Sequence, residues 1–197
     1  HVGCQDVNDL MDGSNSVTTI KDRIERQLDP DSFVYSLMRR AWHTVSMTTG
    51  TKSYARGDSI SNGAIQWLES HQSGKPFFMW LHYMDVHYPF DPPKQIFNKL
   101  PFERPSNRRI INLNGMMQER PEELKPEDVQ DLKRLYFAES RFADEQIGRL
   151  FDKVGELEES ENTIIAVTAD HGEAFGEHGR FGHHVYPYDE LVRVPLI

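Results

Sequence analysis

An aspartate and a histidine stand side by side behind an apolar run rich in β-branched residues. The run spans residues 163–169, and Asp170 and His171 follow it directly. Such a run is typical of a strand buried on both faces, as in a parallel sheet covered by helices. Open α/β sheets bind their ligands beyond the carboxyl ends of the strands. Because a carboxylate and an imidazole suit a divalent cation such as Mn, Zn or Mg, the pair predicts a metal site.

A second group of candidate residues follows another apolar run, Phe77–Met84. Asp85 and His87 lie behind this run, on a segment that prolines up to Pro93 keep irregular and rigid. His87 is therefore placed to act as a fixed donor or general acid. Asp85 is equally compatible with a turn-forming role. His82, inside the run, is expected to be a hydrogen-bonded core histidine.

A glycine-rich segment, Gly176-Glu-His-Gly-Arg-Phe-Gly-His183-His184, supplies the third group. Glycine lets a backbone approach a ligand closely, and the basic side chains suit an oxyanion. The alternative is a flexible loop with incidental histidines. Glu173 and Glu177 fit either a supporting role at a site or plain surface acids.

The elements that must position these residues alternate between helix and strand. Helices are expected at residues 17–28, from Pro30 to about Ser46, from a cap at Asp58 or Ser59, and from Pro126 to about Gly155. The last helix should turn inward Val129, Leu132, Tyr136, Ala143, Ile147, Leu150 and Val154. Strands are expected at Phe77–Met84, from Thr163 and from Arg193, whereas residues 94–125 form an insertion without a predicted element. This order predicts an α/β fold with parallel strands.

Composition limits the classes of protein that the chain can belong to. Its 197 residues suit one domain of the soluble globular type, and 22 basic against 31 acidic residues give a net charge of −9. That charge excludes a general nucleic-acid binder. The longest apolar run, Phe77–Leu81, is too short to span a membrane, and Cys4 has no partner for an internal disulfide. The first and last residues both look like cut ends, so we expect an internal fragment of a longer protein. The sequence does not predict its cellular compartment.

Three motifs in order resemble the sulfatases of the alkaline phosphatase superfamily. One is Asp-His-Gly-Glu-x-x-Gly-Glu-His-Gly from Asp170, followed by Tyr188-Asp-Glu-Leu-Val-Arg-Val-Pro-Leu. The others are Pro76-Phe-Phe-Met-Trp-Leu-His-Tyr-Met-Asp-Val-His87-Tyr-Pro-Phe-Asp-Pro-Pro93 and the helix with Tyr136-Phe-Ala-Glu, Asp144 and Ile147-Gly-Arg-Leu. The likeness covers about residues 58–197, interrupted at 94–125. It implies a three-layer α/β/α, alkaline-phosphatase-like domain with a mostly parallel central sheet, which residues 1–197 contain only in part.

The resemblance also implies roles for individual residues. Asp170 and His171 match the later pair of ligands to one divalent metal ion, with Ca, Mg, Mn and Zn all possible. His87 matches the histidine that contacts the sulfate group and assists the leaving oxygen. Either His183 or His184 matches a further sulfate contact, and the sequence does not choose between them.

The chain departs from the family at the nucleophile. Formylglycine forms in a Cys-x-Pro-x-Arg or Ser-x-Pro-x-Arg motif that these residues lack, and Gln5, Asp6 and Val7 after Cys4 do not match it. We expect that motif, and an early Asp pair, upstream of residue 1, so the chain alone should be inactive. The intact protein is expected to hydrolyse a small-molecule or saccharide sulfate ester.

Two other functions stay open. One is a phosphodiesterase, phosphonate monoester hydrolase or phospho-group transferase of the same superfamily, because an Asp-His pair is compatible with phosphorus substrates. The other is a binding relative that keeps the fold without catalysis.

Overall fold

The computed structural model describes residues 54–71, 74–183 and 186–197. The helices in these ranges are α1 (Gly57–Ser70), α2 (Asn107–Glu119), α3 (Pro126–Gly155) and α4 (Asp189–Val192). Strands β1 (Ala174–Phe175) and β2 (Phe181–Gly182) pair antiparallel, with Ala174 opposite Gly182. Short 3₁₀ turns lie at Lys94–Lys99, Pro121–Glu123, Ser160–Asn162 and Glu177–Gly179. The helices predicted at 17–28 and 30–46 lie outside the described residues.

The longest helix, α3, begins and ends where the sequence predicts. Pro126 occupies its first turn, where the missing N–H has no helical partner to lose. The carboxylate of Asp128 accepts a hydrogen bond from the backbone N–H of Lys125 at 2.8 Å. Glu127 adds negative charge at the positive end of the helix dipole. Local signals alone therefore determine this helix start.

Helix α3 is the element around which the described core is built. One cluster joins Leu132 and Leu135 of α3 to α2 and to the buried Phe90. A second cluster, farther along α3, joins Leu150 to Ala64 and Leu68 of α1. Of the predicted inward residues, Leu132, Ala143 and Leu150 are buried and the others are half-buried. Helices α1 and α2 both pack against α3, so its buried face is wider than predicted. The helix therefore also buries residues that the prediction omitted, among them Leu135, Ala138, Glu139, Phe142 and Gln146.

The predicted cap of α1 is wrong, although the predicted helix is confirmed. The residue before the helix is Arg56, whose side chain makes no capping hydrogen bond, and Asp58 lies within the first turn. A carboxylate from another segment, Asp85, packs against the first residue of the helix instead. That contact joins residues far apart in sequence, which explains why a local capping rule missed it.

The insertion at residues 94–125 is an integral part of the core. Helix α2 begins at a capping serine, Ser106, whose hydroxyl accepts from the backbone N–H of Arg109 at 3.2 Å. Its buried apolar residues Ile110, Leu113 and Met117 pack into the same cluster as Phe90. The insertion therefore supports the segment that carries His87.

Two apolar runs predicted as buried central strands lie outside every helix and strand ladder of the described residues. In the first, Phe78 and Trp80 are 84% and 72% exposed, while the alternate residues pack toward α1. In the second, Ile164 is 95% exposed. Among the described residues neither run is buried on both faces, and one face of the first run packs toward α1. His82 is exposed, so its assignment to the core is wrong.

The end of the chain lies antiparallel to the second run. Val167 and Ile197 exchange two backbone hydrogen bonds of 2.9 and 3.0 Å, and Thr168 bridges Leu196. The pairing seen in the described ranges is antiparallel, whereas the sequence predicted parallel strands. No helix in those ranges is long and apolar enough to cross a bilayer.

Candidate functional site

His87 is held by its backbone and by one ring nitrogen. Its N–H donates to the carbonyl of Met84 at 3.1 Å, and its carbonyl accepts from the hydroxyl of Tyr54 at 2.9 Å. The imidazole Nδ1 lies 2.6 Å from the carbonyl oxygen of Tyr88. A carbonyl can only accept, so Nδ1 carries the proton in this contact. Nε2 is then the ring atom that can exchange a proton with a ligand.

A buried asparagine of α2 fixes the same segment. Asn114 is 2% exposed, and its Oδ1 accepts from the backbone N–H of Phe90 at 2.8 Å. Its Nδ2 donates to the carbonyls of Phe90 and Ile110 at 2.9 and 3.0 Å. The amide thereby satisfies both backbone polar groups of a buried residue that has no ladder partner. Three residues beyond His87, the chain is thus tied to α2.

A carboxylate of α3 holds the segment one residue further on. The buried Glu139 accepts from the backbone N–H of Asp91 at 2.8 Å through its Oε1. The side chain of Asp91 in turn accepts from Arg104 at 2.9 Å. Both helices of the main core therefore clamp the segment that follows His87.

A second buried carboxylate, Asp85, lies just before His87. A Cβ atom added to Gly57, the first residue of α1, would lie 2.8 Å from Oδ2 of Asp85. The positive end of α1 therefore offsets the burial of this charge. Burial raises the pKa of Tyr54, and the charges of Glu139 and Asp85 raise it further. The phenol consequently stays a neutral donor to the His87 carbonyl.

The side chains of Asp170 and His171 lie close together, and in each of them one polar atom contacts the backbone while the other lies near its neighbour. Oδ1 of Asp170 accepts from the backbone N–H of His171 at 3.0 Å, and Nδ1 of His171 lies 2.8 Å from the carbonyl of Gly172. The remaining atoms, Oδ2 and Nε2, are 3.8 Å apart. Gly172 donates its N–H to Leu191 at 2.8 Å. A Cβ there would lie 2.0 Å from the carbonyl oxygen of Glu190, so only glycine permits this approach.

His183 is brought back to this pair by the β1–β2 hairpin. Its Nδ1 lies 3.2 Å from Oε2 of Glu173, whose side chain is only 4% exposed. The ring stacks on His171 with centroids 4.3 Å apart and an interplanar angle of 23°. The His87 ring lies 4.9 Å from that of His183. Three imidazoles from three separate segments therefore meet.

Four of the five predicted site residues are accounted for by this arrangement. His87, His171 and His183 come together, and Asp170 adjoins them, whereas His184 lies outside the described residues. The chemical role of each stays a prediction.

Three supporting residues were missed by the sequence analysis: Tyr54, Asn114 and Glu139. One of them carried a detectable signal, because Asn114 is a polar residue on a helix face that is otherwise apolar. Glu173, which the sequence left open, is the partner of His183. Glu177 instead pairs with Lys133 at 3.0 Å near the surface.

Residues 5–197 match the sulfatase family, and the chain belongs to that family. It is similar to iduronate 2-sulfatase of Homo sapiens, at 33% identity over 161 residues, 68% of this chain and 28% of that protein. It is also similar to an arylsulfatase of Clostridium perfringens, at 27% over 149 residues, 70% of this chain and 30% of that protein. An N-acetylglucosamine-6-O-sulfatase of Bacteroides thetaiotaomicron is 27% identical over 213 residues, 74% of this chain and 38% of that protein. The chain thus spans 28–38% of the length of these relatives.

Membership of the family implies an alkaline-phosphatase-like α/β fold, and the donor set at Asp170 and His171 fits part of a metal site. One carboxylate and one imidazole 3.8 Å apart are suitable ligands for a divalent cation. Within residues 54–71, 74–183 and 186–197, no three His, Cys, Asp or Glu side chains are grouped to hold a metal. A complete site would need further ligands from elsewhere in the protein.

Proposed function

We propose that the whole protein hydrolyses sulfuric esters at the point where His87, His171 and His183 meet. The convergence of the three rings, with centroids 4.3 and 4.9 Å apart, carries this proposal. In a chain with a net charge of −9, such a cluster is a local source of donors for an anionic group. Membership of the sulfatase family supports sulfate as that group.

The proposed chemistry assigns a separate task to each residue. His87, with Nδ1 held by Tyr88, protonates the leaving alcohol oxygen through Nε2. His183 donates to a non-bridging sulfate oxygen. Asp170 and His171 would hold the divalent cation, which when bound supplies positive charge to polarise the sulfate group. The alcohol is that of a small molecule or a saccharide.

The attacking group is proposed to be a formylglycine from another part of the protein. The support is membership of the sulfatase family, and no Cys-x-Pro-x-Arg or Ser-x-Pro-x-Arg motif occurs in the 197 residues themselves. The residues of this chain would then bind and orient the ester and protonate the leaving oxygen. Residues 1–197 are accordingly proposed to be part of a catalytic domain.

The proposed domain has three layers, with residues 77–84 and 163–169 as central strands. Each segment presents exposed apolar side chains, such as Phe78 and Ile164. Partner strands and a second helical layer would bury that surface. Burial of the two faces is worth about 25 cal/mol per Å² of apolar area.

The test compares ester hydrolysis by the whole protein and by a His87→Ala variant. We expect turnover of 4-nitrophenyl sulfate to exceed that of 4-nitrophenyl phosphate, and His87→Ala to lower kcat by about 100-fold or more. The matched control is His71→Ala, because His71 follows the far end of α1, about 20 Å from Gly57 at the site. An unchanged rate for His87→Ala would contradict the proposed role of His87 in protonating the leaving oxygen. A clear preference for the phosphate ester would overturn the sulfatase function, and turnover of neither ester would indicate a binding relative.

A further inference from the structure

Four side chains next to the histidine site stack on one another in an exposed row, which we call the aromatic patch: His178, Arg180, Tyr186 and Tyr188. The rings of His178 and Tyr188 lie 4.1 Å apart at an interplanar angle of 15°, and those of Tyr186 and Tyr188 lie 6.2 Å apart. The guanidinium carbon of Arg180 lies 4.4 Å from the centroid of Tyr186. Both tyrosines are 38% exposed, so part of each ring is open to a ligand.

Arg180 is a cation without an acidic partner among the described residues. Arg104, Arg109 and Arg141 in the same ranges each pair with a carboxylate. The chain is rich in acidic residues, 31 against 22 basic, so the absence of a partner for Arg180 is not due to a shortage of them. The guanidinium lies over the ring of Tyr186 instead, and no carboxylate in the described ranges forms an ion pair with it. Those donors suit an external anion.

The aromatic patch is joined to the site through both of its chain segments. Arg180 precedes His183 by three residues, so their Cα atoms are at most about 10 Å apart. On the other segment, Nε2 of His178 lies 3.8 Å from Oε2 of Glu190. The backbone of Glu190 packs directly against Gly172, the neighbour of His171. The aromatic patch is therefore adjacent to the histidine site.

We infer that the aromatic patch binds the alcohol part of the substrate, and that this part is a saccharide with a second anionic group. The inference rests on the proposed function. Aromatic faces carry a negative quadrupole and pack on the C–H faces of sugar rings, and a guanidinium matches the two oxygens of a carboxylate or sulfate. A steroid or aryl alcohol would instead require an enclosed apolar pocket. The open, exposed form of the patch favours the saccharide.

A binding measurement tests the inference independently of turnover. The whole protein in a His87→Ala background is titrated calorimetrically with a sulfated, uronate-containing disaccharide, with and without Arg180→Ala. We expect Arg180→Ala to weaken Kd about 10-fold or more, because a charge-assisted hydrogen bond is lost. Arg141→Ala, which removes an exposed arginine of α3 that already pairs with Asp144, is the control for charge alone. Equal binding with and without Arg180, or no binding by either protein, would overturn the inference.

Kinetics then separates substrate recognition from a purely structural role of the aromatic patch. Arg180→Ala and Tyr186→Ala should each lower kcat/KM for the disaccharide at least about 10-fold more than for 4-nitrophenyl sulfate, chiefly through KM. Equal losses on the two substrates would show that the patch only supports the fold, and would overturn the inference. If the unaltered protein hydrolyses neither ester, the proposed function fails, and the calorimetric result alone decides whether the patch binds the saccharide.

Discussion

Replacing Asn114 by alanine should damage the candidate site although this residue touches none of the three histidines that form it. The Asn114 side chain supplies an acceptor to the Phe90 N–H and donors to the carbonyls of Phe90 and Ile110. Phe90 is fully buried, so water cannot replace the amide without local opening. The segment that carries His87 would lose its tie to α2.

The expected magnitude follows from the groups left without partners. Asn114→Ala strands the N–H and the C=O of Phe90, each at a cost of about 1–3 kcal/mol. The carbonyl of Ile110 lies within α2 and loses only a second donor, so its contribution is small. We therefore expect a loss of about 2–6 kcal/mol in the free energy of unfolding, a large share of the roughly 5–15 kcal/mol typical of a domain. A displacement of about 1 Å at His87 would lower kcat by about 100-fold.

Urea denaturation and ester hydrolysis by the whole protein measure the two effects. The matched control is Asn112→Ala on the same helix, because the Asn112 side chain is exposed and its contact is with Met116 in the same helix. That variant should change stability by no more than about 0.5 kcal/mol. If both variants unfolded at the same urea concentration, the buried amide would not be holding the segment, and the reasoning would be refuted.

Two further substitutions test neighbouring parts of the structure. Tyr54→Phe removes the donor to the His87 carbonyl but keeps the ring, so kcat should fall at nearly constant KM and stability should drop by about 0.5–1.5 kcal/mol. Because the pKa of Tyr54 is raised, the kinetic loss should be constant from about pH 6 to 9. A loss that varied over that range would contradict this role. The pKa of Asp128 is lowered by the Lys125 N–H and by Arg109, so its stabilisation is present above the unfolded pKa of about 3.9 and is lost as pH falls through the lower folded value. Urea midpoints for Asp128→Asn should therefore lie below those of the unaltered protein near neutral pH and converge with them in acid, and a gap independent of pH would rule this out.

Sequence reasoning succeeded where the physical signal is local. Pro126 and the acidic residues behind it mark the start of α3 without reference to any other element. Asp170 and His171 are adjacent in the chain, so their proximity also needs no long-range contact, and their role as metal ligands stays a prediction. The grouping of His183 with them also follows from a short hairpin.

It failed where a contact joins distant residues. Tyr54 reaches His87 across 33 positions, and Glu139 reaches Asp91 across 48. Neither contact leaves a periodic pattern, and a buried glutamate looks like a surface residue in a helix sequence. The two apolar runs are a related case, because periodicity predicts a strand but not which chain segments cover its faces.

Three side chains of α3, spaced three residues apart, contact both parts of the candidate site: the β1–β2 hairpin and the segment that follows His87. Lys133 pairs with Glu177 at the hairpin tip, Tyr136 packs on Phe175 with ring centroids 5.2 Å apart, and Glu139 binds the Asp91 backbone. Residues spaced by three lie on the same side of a helix. Thermal displacement of α3 therefore carries both parts in the same direction, and the separations among the imidazoles fluctuate less than the position of the group as a whole. Both segments are attached to the same helix, so motion of α3 changes their relative positions little.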